Sequence, residues 1–238
     1  MNESIEIADL TFEVRRSPRR HTVGLTVDRC GKLLIHSPQD VATTELDRWT
    51  RSKLLWVYQK LALKADMASK VSKPEFVSGE SFRYLGRNYQ LKVISSQKGA
   101  LHFDGRRFYL RRDAKSEASD HFRHWYITKG KEWLQKRVTF LSNKMAVVPL
   151  RIEVRDLGYH WGSCGKNGVL FFNWKVLQLP VRLADYIIVH ELIHLIEPHH
   201  GPEFWMAMDR TLPDWAERKE SLRVQASDLH WCGLMKVE

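Results

Sequence analysis

The segment His190-Glu191-Leu192-Ile193-His194 decides how the rest of this sequence is interpreted. In a helix, residues four positions apart lie on one face, so the two imidazole rings can reach the same ion. Glu191 is rotated by about 100° around the helix axis and can lie beside that ion without binding it. This is the spacing of the H-E-x-x-H zinc helix, whose glutamate acts as a general base. The segment therefore predicts zinc ligands at His190 and His194 and a catalytic role for Glu191.

The residues around this motif predict a buried helix over Arg182–Ile196, ended by Pro198 because proline cannot continue a helix. Unpaired polar side chains are costly inside such a helix, and a bound metal would account for two histidines and a glutamate there. The apolar residues around the motif are Tyr186, Ile187, Ile188, Val189, Leu192, Ile193 and Leu195.

A catalytic zinc ion has three protein ligands and one open position. His200 lies at the spacing of the third histidine in the H-E-x-x-H-x-x-G-x-x-H pattern. Glu197 stands at the glycine of that pattern, and a turn at Pro198 would supply the bend instead. His200 is the predicted third ligand, with His199 and Glu197 as the alternatives.

Strand and turn signals dominate the chain up to residue 112. Thr22–Val27 and Leu33–His36 alternate around a turn at Arg29–Gly31 and predict a hairpin, and Asp104–Gly105 predicts another. Between them, Thr44–Ser69 has helical spacing and predicts one amphipathic helix with Thr44 as its N-cap.

The later part of the chain combines helix and strand signals. The polar segment Arg111–Ser119 predicts a linker, and a long helix is predicted over residues 120–145, where Gly130 is unfavourable. The predicted fold class is α+β, with a β-rich N-terminal region over residues 1–112 and a catalytic domain over residues 113–238.

Composition predicts a cytoplasmic protein. No apolar run in the 238 residues is long enough to span a bilayer. Met1–Leu10 lacks the basic and apolar segments of a signal peptide. The three cysteines are odd in number and widely scattered, which argues against a disulfide framework.

The formal net charge of +10 would suit an anionic partner such as nucleic acid. The densest basic cluster is Arg15, Arg16, Arg19 and Arg20. The simpler interpretation of this cluster is a solvated strand edge, because charged edges prevent aggregation.

The stretch Trp161–Cys164 has two interpretations. It could be an edge strand to which an extended peptide adds, with Tyr159 or His160 stabilising the oxyanion. Alternatively, Trp161 and Trp174 fill the core of a packed hairpin. Cys164 is interpreted as a small buried thiol.

Several motifs, taken together over nearly the whole chain, carry a family resemblance. They are Val14–Arg20, Tyr84-Leu85-Gly86-Arg87, Arg155-Asp156, Trp161-Gly162-Ser163-Cys164, Phe172-Asn173-Trp174, His190–His194, His200 and Phe204-Trp205. They resemble the YgjP-like metallopeptidases, relatives of the SprT-like zincins. The chain departs from the family pattern at His160, where a basic residue is usual, and at His199-His200-Gly201, where Asn-His-Ser is common.

The resemblance implies a small zincin-like catalytic domain behind a β-rich N-terminal region. It also implies zinc ligands at His190, His194 and His200, with Glu191 as the catalytic acid and base. The expected function is therefore zinc-dependent hydrolysis of protein or peptide substrates. The alternatives are a zinc-stabilised module that binds nucleic acid or protein without peptidase activity, and a zinc hydrolase acting on a non-peptide amide.

Overall fold

The computed structural model describes residues 3–27, 32–69, 74–158, 160–225 and 229. Within these residues the architecture is mixed α/β, with six α-helices and three sheets. The chain divides into two units, Met1–Lys70 and Val71–Glu238.

The boundary predicted after residue 112 falls inside the second unit. The physical reason is that Phe82 and Phe108 share one core with Phe122, which belongs to the following helix. The ring centroids of Phe82 and Phe122 are 4.2 Å apart. The strands that contain Phe82 and Phe108 therefore pack with the helix that follows them, and a catalytic domain limited to residues 113–238 stays a prediction.

The first unit contains a four-stranded sheet. Its strands are β1 Glu3–Ile7, β2 Leu10–Arg16, β3 Gly24–Val27 and β4 Leu33–Ser37. Their order is β1-β2-β4-β3, with β2 and β4 parallel and the other pairs antiparallel. The antiparallel pairing of β3 with β4 is the predicted hairpin, and the turn predicted at Arg29–Gly31 lies outside the described residues.

The predicted single helix over Thr44–Ser69 is wrong, because two helices occupy this segment. They are α1 Thr43–Arg51 and α2 Leu54–Ser69. At the break, the Ser52 hydroxyl donates to the Trp49 carbonyl over 2.6 Å and competes with the helical hydrogen bonds. The predicted N-cap is also wrong: Thr44 lies inside α1, and Ala42 is the N-cap without a side-chain hydrogen bond.

The second unit begins with another four-stranded sheet. Its strands are β5 Ser81–Tyr84, β6 Arg87–Ile94, β7 Leu101–Phe103 and β8 Phe108–Arg111. Their order is β5-β6-β8-β7. The antiparallel pairing of β7 with β8 confirms the hairpin predicted at Asp104–Gly105. Gly105 has a φ of 89°, a conformation that glycine adopts without strain.

The segment predicted as a linker, Arg111–Ser119, is structured. A 3₁₀ helix over Arg112–Glu117 leads directly into the long helix α3, Ala118–Met145. Ala114 and Ala118 are buried in the core of the second unit. The two small apolar side chains fix this junction, although the surrounding residues are polar.

The remaining elements build the part of the second unit that contains the predicted metal ligands. They are β9 Arg151–Arg155, β10 Gly162–Cys164, β11 Val169–Asn173, a 3₁₀ helix Trp174–Gln178, α4 Val181–Ile193, α5 Pro202–Thr211 and α6 Trp215–Gln225. The strand order is β10-β11-β9, with β10 antiparallel and β9 parallel to β11. Consequently β10 is an edge strand.

Helix α4 contains most of the central motif and is buried along most of its length. It ends at Ile193, three residues before the predicted end at Ile196, with His194 as its C-cap. The chain then turns tightly: the Leu195 N–H donates to the Leu192 carbonyl over 3.1 Å, and the Ile196 N–H donates to the Ile193 carbonyl over 2.9 Å. This turn directs the chain towards His200.

A bidentate ion pair joins α3 to α4. Arg137 Nε and Nη2 each donate to the Asp185 carboxylate over 2.6 Å. Only 13% of the Asp185 side chain is exposed. Two parallel hydrogen bonds between a guanidinium and a carboxylate fix the relative orientation of the two groups and also stabilise the pair. The ion pair therefore fixes α4 on the long helix five residues before His190.

Gly130 allows a close approach between α3 and its neighbours. A β-carbon at this position would lie 2.9 Å from Leu177 Cδ2 and 3.4 Å from Val154 Cγ1. The glycine that looked unfavourable in the sequence is therefore required by packing, because the 3₁₀ helix and β9 occupy the space of its side chain.

Gly130→Ala is expected to destabilise the protein by about 1 kcal/mol in urea unfolding. Alanine favours a helix by about 1 kcal/mol, but overpacking a core costs about 1–3 kcal/mol, and Leu177 is fully buried and cannot swing into solvent. The exposed neighbour Lys131 provides the control, since Lys131→Ala should change stability by less than about 0.5 kcal/mol. A Gly130→Ala protein more stable than wild type would contradict this interpretation.

Candidate metal centre

His190, His194 and His200 come together at the end of α4. Each offers one imidazole nitrogen, and these three atoms all lie within 4.8 Å of one another. His190 Nε2 and His200 Nε2 are 2.9 Å apart. Three neutral imidazole nitrogens at this spacing can converge on one divalent ion with small side-chain rotations, and the donor set is one that zinc accepts.

His194 has an orientation suited to metal binding. Its Nδ1 lies 3.0 Å from the Glu197 carbonyl, to which Nδ1–H donates, and Nε2 is left for a ligand bond. Metal-binding histidines usually use their second nitrogen in this way. Glu197 contributes its backbone to this contact, and its carboxylate is not part of the histidine group.

His190 is held neutral by its surroundings. Burial is the largest cause that lowers the pKa of His190 to about 3, followed by the charges of His194 and His200. The neutral imidazole is the form that binds a metal. Its Nδ1 is buried without a hydrogen-bond partner among the described residues. An unpaired buried polar atom costs free energy, and a metal–ligand bond at Nε2 would offset that cost.

His200 reaches the group from the turn before α5. Trp205 stacks on it, with ring centroids 5.8 Å apart, and Trp205 stacks in turn on Trp215 of α6 at 4.5 Å. Burial lowers the pKa of His200, with smaller contributions from nearby cationic groups. His199, the rival ligand, is exposed and does not belong to the histidine group.

The packing behind His200 was not predicted from the sequence. Lys219 of α6 places Nζ 5.1 Å from the Trp205 ring centroid and 5.7 Å from that of Trp215. Phe204 contacts the histidines from the core side, with its ring centroid 4.7–4.9 Å from each of the three imidazole rings. In the sequence, only the motif Phe204-Trp205 indicated aromatic packing around the histidines.

Glu191 follows His190 directly in the chain and is almost completely buried, with 6% of its surface exposed. Burial raises the pKa of the Glu191 carboxyl to about 8. A divalent cation bound beside it would counteract this shift, because an opposite charge favours the ionised form. A carboxyl whose protonation lies near neutrality is suited to take up and release a proton.

The edge strand β10 lies beside Glu191, and hydrogen bonds from Asn173 hold the loop before it. Buried Asn173 donates from Nδ2 to the His160 carbonyl over 3.0 Å, and its backbone N–H donates to the Trp161 carbonyl over 2.8 Å. The His160 side chain is exposed, and Tyr159 lies outside the described residues. The oxyanion roles of these two residues stay predictions.

The other residues of this stretch are mainly structural. Trp174 is fully buried, as the packing interpretation requires, and Trp161 packs half-buried against the same core. Burial raises the pKa of the Cys164 thiol, followed by the charge of Glu191. A thiol with a raised pKa is a poor nucleophile. Cys164 was predicted to be buried, and the structure shows it partly buried.

The predicted basic cluster is partly neutralised by carboxylates in the first unit. Arg15 pairs with Glu13 and Arg16 with Glu3, each over 2.7 Å. These pairs reduce the positive charge available for phosphate groups. A nucleic-acid partner stays a prediction. No helix within the described residues has the length and apolar character needed to cross a membrane.

Comparisons with known proteins identify one family. A family model described as "YgjP-like, metallopeptidase domain" matches residues 21–225. No curated protein matches the chain significantly. Among solved structures, "Crystal structure of the metallopeptidase zymogen of Pyrococcus abyssi abylysin" is similar at 19% identity and a TM-score of 0.37, covering 40% of this chain and 96% of that chain. This structural similarity is too low to support a functional argument.

Proposed function

Because the chain belongs to the YgjP-like metallopeptidase family, we propose that it is a zinc-dependent peptidase. His190, His194 and His200 hold the metal in this proposal, and Glu191 is the general base and acid. The observation that carries it is the convergence of three imidazole nitrogens within 4.8 Å, with the buried carboxyl group of Glu191 on the residue next to His190.

The number of ligands favours catalysis over a structural role. A structural zinc site is closed by four protein ligands, whereas a catalytic site has three and keeps one position open. Within the described residues, the group that could hold an ion contains three histidines. This argues against the alternative of a zinc-stabilised binding module.

The proposed reaction is hydrolysis of a peptide bond. When bound, zinc lowers the pKa of a coordinated water to about 7 and polarises the scissile carbonyl. Glu191 takes the proton of the attacking water and delivers it to the leaving amine. His160, on the loop before β10, and Tyr159, which lies outside the described residues, are the candidates to stabilise the oxyanion.

The edge strand β10 offers a place for the substrate. In the described part of the chain it pairs with β11 on one side, and an extended peptide could add to its other side through main-chain hydrogen bonds. Binding of this kind would accept substrates with many different side chains, because the hydrogen bonds are made by the substrate's peptide backbone. Protein or peptide substrates are therefore proposed without a sequence preference.

Metal removal tests this function. The purified protein is expected to contain about one zinc ion per chain and to hydrolyse casein, an unfolded protein substrate. A chelator should abolish hydrolysis and lower the melting temperature, since a ligand that binds only the folded state stabilises it, and added zinc should restore both. Hydrolysis that persists without metal, or a zinc-loaded protein that never cleaves casein, would contradict the proposal.

A further inference from the structure

Strand β10 passes over α4 at Gly162, where the space for a side chain is occupied by Glu191. A β-carbon at Gly162 would lie 2.6 Å from Cγ and Oε1 of Glu191 and 2.8 Å from Cδ. These are the three nearest atoms, and all belong to one side chain. A β-carbon essentially never lies within 3.0 Å of a non-bonded atom, so either the strand or the carboxylate would have to move.

The strand is not free to retreat. Gly162 pairs with Phe172 in the β10–β11 ladder, and the adjacent Trp161 carbonyl accepts the hydrogen bond from Asn173 N–H over 2.8 Å. Helix α4 is equally constrained, because Val189, Leu192 and other residues of this helix are buried in the main core. The carboxylate of Glu191 is therefore the part that would be displaced.

The glycine is not required by its backbone conformation. Gly162 is absent from the glycines with positive φ, in contrast to Gly86, whose φ is 78°. An alanine could adopt the same strand conformation without strain. What excludes a side chain at Gly162 is the position of Glu191.

We propose that Gly162 is a positioning residue for the reaction, whose missing side chain lets the Glu191 carboxylate lie against β10 beside the histidine group. The proposal rests on the proposed peptidase function for its catalytic consequence. The three atoms nearest to a β-carbon at Gly162 all belong to Glu191 and none to a histidine, so the carboxylate would be displaced first and the metal ligands should stay in place. Misplacing a reacting group by about 1 Å costs about 100-fold in rate.

A double-mutant cycle in thermal stability tests the contact without any need for activity. Gly162→Ala is expected to lower the melting temperature by roughly 5 °C. In a Glu191→Ala background the same change should be neutral or stabilising, because the three obstructing atoms are gone and alanine restricts the unfolded chain more than glycine. Equal losses in both backgrounds would overturn the proposal.

Gly165→Ala is the matched control on the same hairpin. Its β-carbon would lie 3.1 Å from the flexible end of Asn167 and 3.4 Å from Phe171 and the Val169 carbonyl, so its three nearest atoms do not include Glu191. Its effect on the melting temperature should therefore be the same in both backgrounds. If Gly162→Ala alone fails to fold, recovery of folding by Glu191→Ala supports the contact, and failure of both proteins to fold overturns it.

The kinetic arm measures casein hydrolysis and zinc content. Gly162→Ala should lower kcat about 100-fold, with KM within about threefold of wild type and the zinc content unchanged. Loss of zinc, or full activity, would overturn the positioning role. If the wild-type protein does not cleave casein, the proposed function fails, and the stability cycle still decides whether Gly162 positions Glu191.

Discussion

Glu191→Gln is expected to lower kcat for casein about 1000-fold while the zinc content stays unchanged. The amide has nearly the size of the carboxyl group but cannot accept the proton of the attacking water, and general acid–base catalysis contributes about 10²–10⁴-fold. The fold should persist, because Glu191 is buried and a neutral amide removes the penalty of burying a charge. Steady-state kinetics and metal analysis of the same preparation measure both quantities.

Glu203→Gln provides the control for this experiment. Glu203 is an exposed carboxylate in the first turn of α5, outside the histidine group. Its replacement should leave kcat and zinc content within about twofold of wild type, since surface changes of this kind have small effects. A Glu191→Gln protein that cleaves casein as fast as wild type would remove Glu191 from the mechanism.

His194→Ala is expected to lose zinc, and with it all measurable hydrolysis. Removing an outer partner of a metal ligand already costs about 10–100-fold in metal affinity, so loss of a direct ligand should exceed 100-fold. Metal binding also contributes to folding stability, so the melting temperature should fall below that of the zinc-loaded wild type. Zinc titration and thermal unfolding measure these two effects.

His199→Ala is the matched control for the ligand assignment. His199 is adjacent to His200, exposed, and not part of the histidine group. We therefore expect this variant to keep its zinc and its activity. If His199→Ala loses the metal while His200→Ala keeps it, the third ligand is His199. Unchanged zinc content in His194→Ala would refute the whole metal site.

Local patterns were sufficient to predict the elements whose residues determine their own conformation. The antiparallel hairpins β3–β4 and β7–β8 follow from alternation around turns, and the helix with His190 and Glu191 follows from its continuous apolar surroundings. The predicted family is confirmed by the match over residues 21–225. The hairpins and the helix depend on contacts between residues that are close in sequence. The family could be predicted because its motifs occur in the expected order along the chain.

Boundaries between elements were less predictable, because hydrogen bonds and packing outside the local pattern decide them. The break between α1 and α2 depends on a hydroxyl that competes for a helix carbonyl, and Ser52 looks like any surface serine in the sequence. The segment predicted as a linker is a structured junction because Ala114 and Ala118 are buried in the core. The end of α4 at Ile193 depends on the tight turn that follows it.

The sequence alone specified which side chains could bind a metal and which carboxylate could serve as the base, because their spacing on one helix is a local property. Only the tertiary structure placed His200 against His190, stacked Trp205 behind it and brought Gly162 onto Glu191. Gly162 and Glu191 are far apart along the chain, and their contact depends on how β10 packs over α4. The reason is physical: a glycine in a sequence shows only that a side chain is missing, and the fold determines which group occupies the space.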